Sequence, residues 1–212
     1  MTVALVYIHP RTNQKVYVPA ARRFTQSYMN HPPGATDHDL HVVINGDQPR
    51  KGDERTFSPL SPKWHNHDNS GKDIGAFQMA ARTIPCDLMV FMGSHVHFRQ
   101  AGWLDLMVNA YIRNGPGAYG AYAFHEPSPH IRTTCFWIPR ELMLMYPHNV
   151  GNEFRYEFEH GAAHSLVRWV TDAGFNAWLV TWKGIMPKEH WRHVENNEAL
   201  VLDQHSDRIG YK

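Results

Sequence analysis

Blocks of apolar residues alternate along the chain with polar stretches rich in Gly, Pro and Asn. Short apolar runs that favour β structure predict strands, and apolar residues at helical spacing predict helices. The predicted strands cover 3–8, 38–46, 87–92, 117–124, 131–139 and 176–184. The predicted helices run from near Pro19 to the Pro32-Pro33-Gly34 stop and over 72–84, 102–115, 140–147 and 160–174. The polar residues 48–70 are predicted to form a loop.

This alternation of strands and helices predicts an α/β fold, with a single Rossmann-like domain around a mostly parallel central sheet. The length of 212 residues suits one domain. The domain is assigned to residues 1–184, and the polar tail, 185–212, is expected to fold back on it.

The ends of three predicted strands carry polar side chains. They are His9-Pro10-Arg11, Asn45-Gly46-Asp47 and Gly93-Ser94-His95-Val96-His97. Ligands of open α/β sheets bind beyond the carboxyl ends of the strands, so these stretches are expected to share one edge. His95 and His97 would point to the same side if the strand continues. Such a pair can bind a transition metal or, when protonated, a phosphate; the alternative is a turn with two solvated imidazoles.

Composition narrows the function classes. Hydrophobic residues make up 42% of the chain, charged residues 19%, and the formal net charge is +1. These values indicate an ordinary globular protein without the charge footprint of nucleic-acid or membrane binding, and no run predicts an integral membrane segment. The opening "MTVALVYIHP" predicts a strand rather than a signal peptide, and the two cysteines, Cys86 and Cys135, are interpreted as reduced thiols. A cytoplasmic location is therefore expected.

The order of four motifs resembles the GT-A type of glycosyltransferase, close to the large family 2 group. The motifs are "NSGKDIGAFQMAARTI", "CDLMVFMGSHVHFRQAGWLDLM", "HIRTTCFWIPRELM" and "EFEHG", and the resemblance covers roughly residues 3–184. It implies that residues 1–184 bind a nucleotide-sugar donor and catalyse transfer of its sugar to a glycan or another hydroxyl acceptor.

One motif departs from the family pattern. Where the family carries an Asp-x-Asp-type pair that holds a divalent metal, this chain has Gly93-Ser94-His95-Val96-His97. Mg²⁺ favours oxygen ligands, whereas Mn²⁺ also accepts imidazole, so the resemblance implies Mn²⁺ or Mg²⁺ only if other ligands replace the acids. The candidate metal ligands are His95, His97 and, in the tail, His205.

The resemblance also implies site residues. Glu159 and His160 are the candidate catalytic residues, with Glu157 as the alternative, because a general base near a predicted helix start could deprotonate the acceptor. A helix-capping role is the structural alternative for these carboxylates. The candidate donor-binding residues, which are also ordinary loop and cap residues, are His9, Arg11, Asp47, Asp68, Lys72, Ser94 and His95.

Two other function classes are alternatives to a glycosyltransferase. One is a metal-dependent hydrolase with His65, His67, His95 and His97 around Zn²⁺, although no HExxH-type spacing is present. The other is a non-catalytic module that kept the transferase fold, lost the acidic motif and binds a nucleotide or glycan.

Overall fold

The computed structural model describes residues 1–151, 155–161, 163–193 and 198–204. Its strands are β1 (Val3–Pro10), β2 (Asp39–Asn45), β3 (Lys63–His67), β4 (Leu88–Met92), β5 (Gly117–Gly120), β6 (Ala123–Phe124), β7 (His130–Ile131), β8 (Cys135–Pro139), β9 (Asn176–Thr181) and β10 (Gly184–Pro187). Its helices are α1 (Gln14–Asn30), α2 (Lys51–Phe57), α3 (Lys72–Thr83), α4 (Trp103–Asn114), α5 (Arg140–Met145), α6 (Arg155–His160) and α7 (Leu166–Asp172).

Eight strands form one mixed, mostly parallel sheet in the order β10-β9-β5-β8-β4-β1-β2-β3, and β6 pairs with β7 separately. The block β4-β1-β2-β3 is wholly parallel. Strand β8 runs antiparallel to both β4 and β5, and β9 is parallel to β5. The predicted α/β class with a mostly parallel central sheet is thereby confirmed.

Strand β1 explains how the layers assemble. It is buried on both faces, as expected for a central parallel strand. Leu5 and Tyr7 belong to one apolar cluster, together with side chains of α1 and α4. Val6 and Ile8 belong to the other cluster, together with side chains of α3, α5 and α7. Helices therefore cover both faces of the sheet, and its strand-end edge remains as a surface for binding.

The predicted loop over 48–70 is wrong. This segment contains α2, a 3₁₀ turn at Ser58–Leu60 and the edge strand β3. The sequence of β3, "KWHNH", has no apolar run, because an edge strand pairs on one side only and keeps part of its surface in water. Its backbone pairing with β2 decides its structure.

The single helix predicted over 160–174 is also wrong. Helix α6 ends at His160, and α7 starts only at Leu166, after Ser165 has capped it by accepting a hydrogen bond from the Arg168 backbone N–H. The predicted strands over 117–124 and 131–139 are likewise each divided in two.

The described part of the C-terminal segment lies against the sheet. Strand β10 pairs with β9, and residues Ala199 and Leu202 bridge to Thr181 and His97. Leu200 is buried in the core. Within the described ranges, no helix has the length and apolar character needed to cross a bilayer.

We expect Phe91→Ala in β4 to lower the free energy of unfolding by about 3–5 kcal/mol, because it removes a fully buried ring. That ring lies with its centroid 4.8 Å from Phe77 and 5.0 Å from Phe136. Urea denaturation measures the change. Ile112→Ala on α4, where the side chain is 63% exposed, is the control and should change stability by no more than about 0.5 kcal/mol. Equal losses in both variants would contradict this account of the core.

Candidate functional site

A cleft of about 430 Å³ opens above the C-terminal ends of β1, β2 and β4. We call it the main cleft because strand ends line it; a larger cavity of about 620 Å³ lies beside it, next to Asp68 and Gln78. Its lining residues are Ile8, Pro10, Thr12, Tyr17, Asn45, Asn69, Lys72, Asp73, Ser94, His95 and Gln204. A smaller cavity of about 130 Å³, the recess, shares four of these residues and adds Gly93, Arg132, Thr133, Thr134 and Asp203. The strand ends meet at one edge because their strands are parallel neighbours.

The end of β4 turns instead of continuing as a strand. Val96 N–H donates to the Gly93 carbonyl (3.2 Å), and the Ser94 carbonyl accepts from the buried Tyr7 hydroxyl (2.7 Å). Burial raises the pKa of Tyr7, so the hydroxyl keeps the proton that it donates. His95 lines both cavities, whereas His97 is only 8% exposed and pairs through its backbone with Leu202. The strand ends at Met92, as predicted, so the condition under which both histidines would point to the same side is not met.

The structure places His9 and Arg11 away from the main cleft. Side chains alternate along β1, so Ile8 and Pro10 line the cleft and their neighbours face α2. There Asp53 Oδ1 lies 3.2 Å from His9 Nε2 and 3.2 Å from Arg11 Nη1. Burial lowers the pKa of His9, and the Asp53 charge opposes that shift. These contacts attach α2 to the end of β1.

The turn before α3 presents Lys72 to the main cleft. Gly71 has φ +67°, and a Cβ there would lie 1.9 Å from the Val150 carbonyl oxygen, so this turn requires glycine. Asp68 lies in the preceding loop, where its carboxylate accepts from Ser70 N–H (2.9 Å) and Oγ (2.6 Å). Asp47 forms an ion pair with Arg50. Of the predicted donor-binding residues, the cleft therefore brings together Lys72, Ser94 and His95.

Several lining residues were not predicted. Asn45 stands at the end of a predicted strand, two positions before the predicted Asp47. Asp73 is one position beyond the predicted Lys72. Asp203, which is 5% exposed, comes from the C-terminal segment, and its Oδ2 lies 3.4 Å from Thr134 Oγ1. No local pattern in the sequence connects Asp203 with β4.

Glu159 lies directly behind the recess wall. Its Oε2 accepts from Thr133 N–H (3.0 Å) and Thr133 Oγ1 (2.5 Å). Its Oε1 lies 3.1 Å from His160 Nε2 and 3.7 Å from Arg132 Nε. The carboxylate is 7% exposed. Burial raises the pKa of Tyr146 to about 12, and the charge of Glu157, in the first turn of α6, adds to that shift.

The histidines proposed for a zinc hydrolase have separate partners. His65 Nε2 lies 2.8 Å from His41 Nδ1, and His67 Nδ1 lies 2.8 Å from Asn45 Oδ1. Among the described residues, the one group of three or more potential ligands is His130, Glu159 and His160. His95 and His97 are not in it, and His205 lies outside the described residues.

Comparison with solved structures supports the fold. A mannosyltransferase from Pyrobaculum calidifontis, solved with GDP-Man and Mn²⁺, matches with a TM-score of 0.52 and 11% identity, over 66% of this chain and 45% of that one. A cytidylyltransferase from Leptospira borgpetersenii matches with a TM-score of 0.59 and 15% identity, over 98% of this chain and 84% of that one. Mouse xyloside xylosyltransferase 1 matches with a TM-score of 0.52 and 9% identity, over 86% of each chain.

The chain has the GT-A-like fold. The sequence matches no protein-family model and no curated protein. The match to the mannosyltransferase spans less than half the length of that protein. The GT-A-like fold accounts for the position of the main cleft, because its lining comes from the strand ends of the parallel block.

Buried and half-buried histidines give stability a predicted pH dependence. Burial lowers the pKa of His9, His65 and His67, and it lowers that of His41 to about 4 from 6.5. As pH falls below 6.5, the unfolded chain therefore binds protons before the folded chain does. We expect the unfolding free energy to be level above neutral pH and to decline between about 6.5 and 4.

His41→Leu should reduce that decline, because it removes the most strongly shifted of these rings. Urea denaturation at a series of pH values is the measurement. His190→Ala, at an exposed position, is the matched control and should keep the wild-type slope. A His41→Leu slope equal to that of wild type would contradict the assignment.

Proposed function

We propose that this protein is a glycosyltransferase that moves a sugar from a nucleotide-sugar donor in the main cleft to a hydroxyl acceptor. The observation that carries the proposal is the convergence of Asn45, Lys72, Ser94 and His95 at the strand-end edge of a GT-A-like fold. Such an edge is where open α/β sheets bind nucleotides.

The lining offers groups suited to each part of a donor. Tyr17 and His95 lie with ring centroids 5.6 Å apart, and flat side chains of this kind stack on bases or sugar rings. Lys72 is exposed at the start of α3, and its ammonium group is a compact positive charge that binds phosphate oxygens. The Arg132 guanidinium lines the adjoining recess. Lys72 and Arg132 would stabilise the negative charge of the leaving diphosphate.

The connection between β1 and α1 favours a sugar transferase over a nucleotidyltransferase. A triphosphate is commonly bound by a glycine-rich loop whose backbone N–H groups surround the phosphates. Here the connection consists of residues 11–13, Arg-Thr-Asn, and contains no glycine. The Arg11 side chain is held by Asp53.

The residues around this cleft have atoms of the type that binds a metal, but their arrangement does not suit one. The mannosyltransferase was solved with Mn²⁺, and Asp73, Asp203 and His95 around the recess include the oxygen and imidazole ligands that Mn²⁺ accepts. However, these three do not form a group of close ligand atoms among the described residues. The proposed mechanism therefore relies on the cationic side chains.

The acceptor needs a base, and the recess offers Asp203. Its carboxylate is buried and lines the cavity. In transfer, the bond from the anomeric carbon to the diphosphate breaks, a bond to the acceptor oxygen forms, and Asp203 takes the hydroxyl proton. Glu159, the candidate base from the sequence, lies behind Thr133 and uses one oxygen to hold it. We assign Glu159 a positioning role.

Donor binding is tested with a panel of nucleoside diphosphates in a thermal-shift assay. A ligand at a hundredfold excess over its Kd stabilises the fold by about 2.7 kcal/mol, or about 5–10 °C for a chain of this size. Lys72→Ala should weaken binding by roughly 10–150-fold, since it removes a charge-assisted contact worth roughly 1.5–3 kcal/mol.

Lys51→Ala is the control, because Lys51 is exposed on α2 and outside the cleft lining. No shift with any diphosphate would overturn the proposal. A preference for triphosphates would point to nucleotidyl transfer instead.

The assignment of the base is tested by acceptor-free hydrolysis of the nucleotide sugar that binds best. The rate is measured as release of the nucleoside diphosphate. Asp203→Asn should lower the rate by about a hundredfold or more while the donor Kd stays unchanged. Glu159→Gln should have the smaller effect. A larger effect of Glu159→Gln would assign the role of general base to Glu159. Donor binding without any turnover in wild type would favour a non-catalytic binding module.

A further inference from the structure

We propose that His130, Glu159 and His160 form a binding site for a divalent transition-metal ion of the zinc class. His130 belongs to β7, and the other two residues end α6. Each of the three residues has one potential ligand atom that lies within 4.8 Å of the potential ligand atoms of the other two. The site is separated from the recess by Thr133 and does not depend on the proposed sugar transfer.

His130 is held in the orientation that a metal ligand needs. Its Nδ1 lies 2.7 Å from the Ser128 carbonyl oxygen, which can only accept a hydrogen bond. Nδ1 therefore carries the proton, and Nε2 keeps a lone pair for a cation. A backbone carbonyl that fixes the tautomer in this way is typical of metal-binding histidines. The ring is 3% exposed and lies with its centroid 4.1 Å from that of His160.

Glu159 is held in a corresponding way. Two hydrogen bonds from Thr133 occupy Oε2, which leaves Oε1 directed towards His160. Hydrogen-bonded carboxylates of this kind are common among metal ligands, because the second oxygen fixes the position of the first. Thr133 and Ser128 thus position two of the three ligands before any ion binds.

The ligand set selects the class of ion. Two imidazoles and one carboxylate suit Zn²⁺ and similar transition metals, whereas Mg²⁺ and Ca²⁺ prefer oxygen ligands. Ligands about 2.0–2.1 Å from a tetrahedral zinc ion lie about 3.3 Å from one another. The pair His160 Nε2 and Glu159 Oε1, at 3.1 Å, already meets this spacing. The His160 side chain is 22% exposed, so a water molecule can reach the fourth position.

Arg132 opposes a cation here, because its Nε lies 3.7 Å from Glu159 Oε1. This guanidinium also lies 5.7 Å from the centroid of the Phe124 ring and lines the recess. It therefore has other contacts when a metal takes Oε1. Without a metal, His160 Nε2 contacts Glu159 Oε1 directly, and the experiment below separates the two cases.

Zinc binding is measured by calorimetry on protein purified without a histidine tag, and the coordination is read from the visible absorption of Co²⁺ in the same site. We expect one equivalent of Zn²⁺ and a Co²⁺ spectrum typical of four or five ligands. His160→Ala and the near-isosteric Glu159→Gln should abolish both signals. Thr133→Val removes one hydrogen bond to Glu159 and should weaken zinc affinity by about 10–100-fold.

His148→Ala is the matched control. His148 is exposed and lies with its ring centroid 4.4 Å from that of His164, so it tests chelation by surface histidine pairs. It should bind zinc as wild type does. The proposal is overturned if wild type binds no stoichiometric zinc, or if folded Glu159→Gln and His160→Ala proteins, checked by circular dichroism, bind it unchanged. Nucleotide binding is measured separately, so either proposal can fail without the other.

Discussion

The burial of β1 on both faces is the constraint on which the rest of the structure depends. A strand with no solvent face must be paired on both edges and covered by helices on both sides. Strands β2 and β4 supply the edges, and α1 and α3 supply part of the cover. The same pairing aligns three strand ends at one edge. The Tyr7 hydroxyl, buried in this core, then binds the Ser94 carbonyl and fixes the turn that carries His95.

Buried carboxylates organise both sides of that edge. Asp53 binds the side chains of His9 and Arg11 and so attaches α2 to the end of β1. Glu159 binds Thr133 through two hydrogen bonds and faces His160 and Arg132. A buried carboxylate is costly unless it is paired and hydrogen-bonded, so each one specifies the geometry of the loops around it. The walls beside the main cleft and the recess are held in this way.

The recess connects the proposed transfer chemistry with the proposed metal site. Thr133 and Arg132 line the recess, and both contact Glu159 on its far side. An ion on Glu159 Oε1 would compete with Arg132 for that oxygen and leave the guanidinium to the recess. The two proposals share Arg132 and Glu159, but donor binding rests on Lys72, Ser94 and His95, and metal binding rests on His130, Glu159 and His160.

The sequence by itself determined the class of the fold and the region of the cleft. The apolar runs of β1, β2 and β4 are readable because both faces of these strands are buried, and their polar ends identify the edge. Contacts between segments decided those elements that the local sequence pattern does not predict. Strand β3 has no apolar run and exists through its bonds to β2, while α6 and α7 separate where Ser165 caps the second helix.

The tertiary structure also decided which polar residues face the cleft. Side-chain alternation turned His9 and Arg11 towards Asp53, and the turn after Gly93 separated His95 from His97. Asp203 and His130 reach their positions through contacts between segments distant in sequence. Local periodicity reports the environment of each segment, but a binding site depends on the direction of side chains from several segments, and only their packing sets that direction.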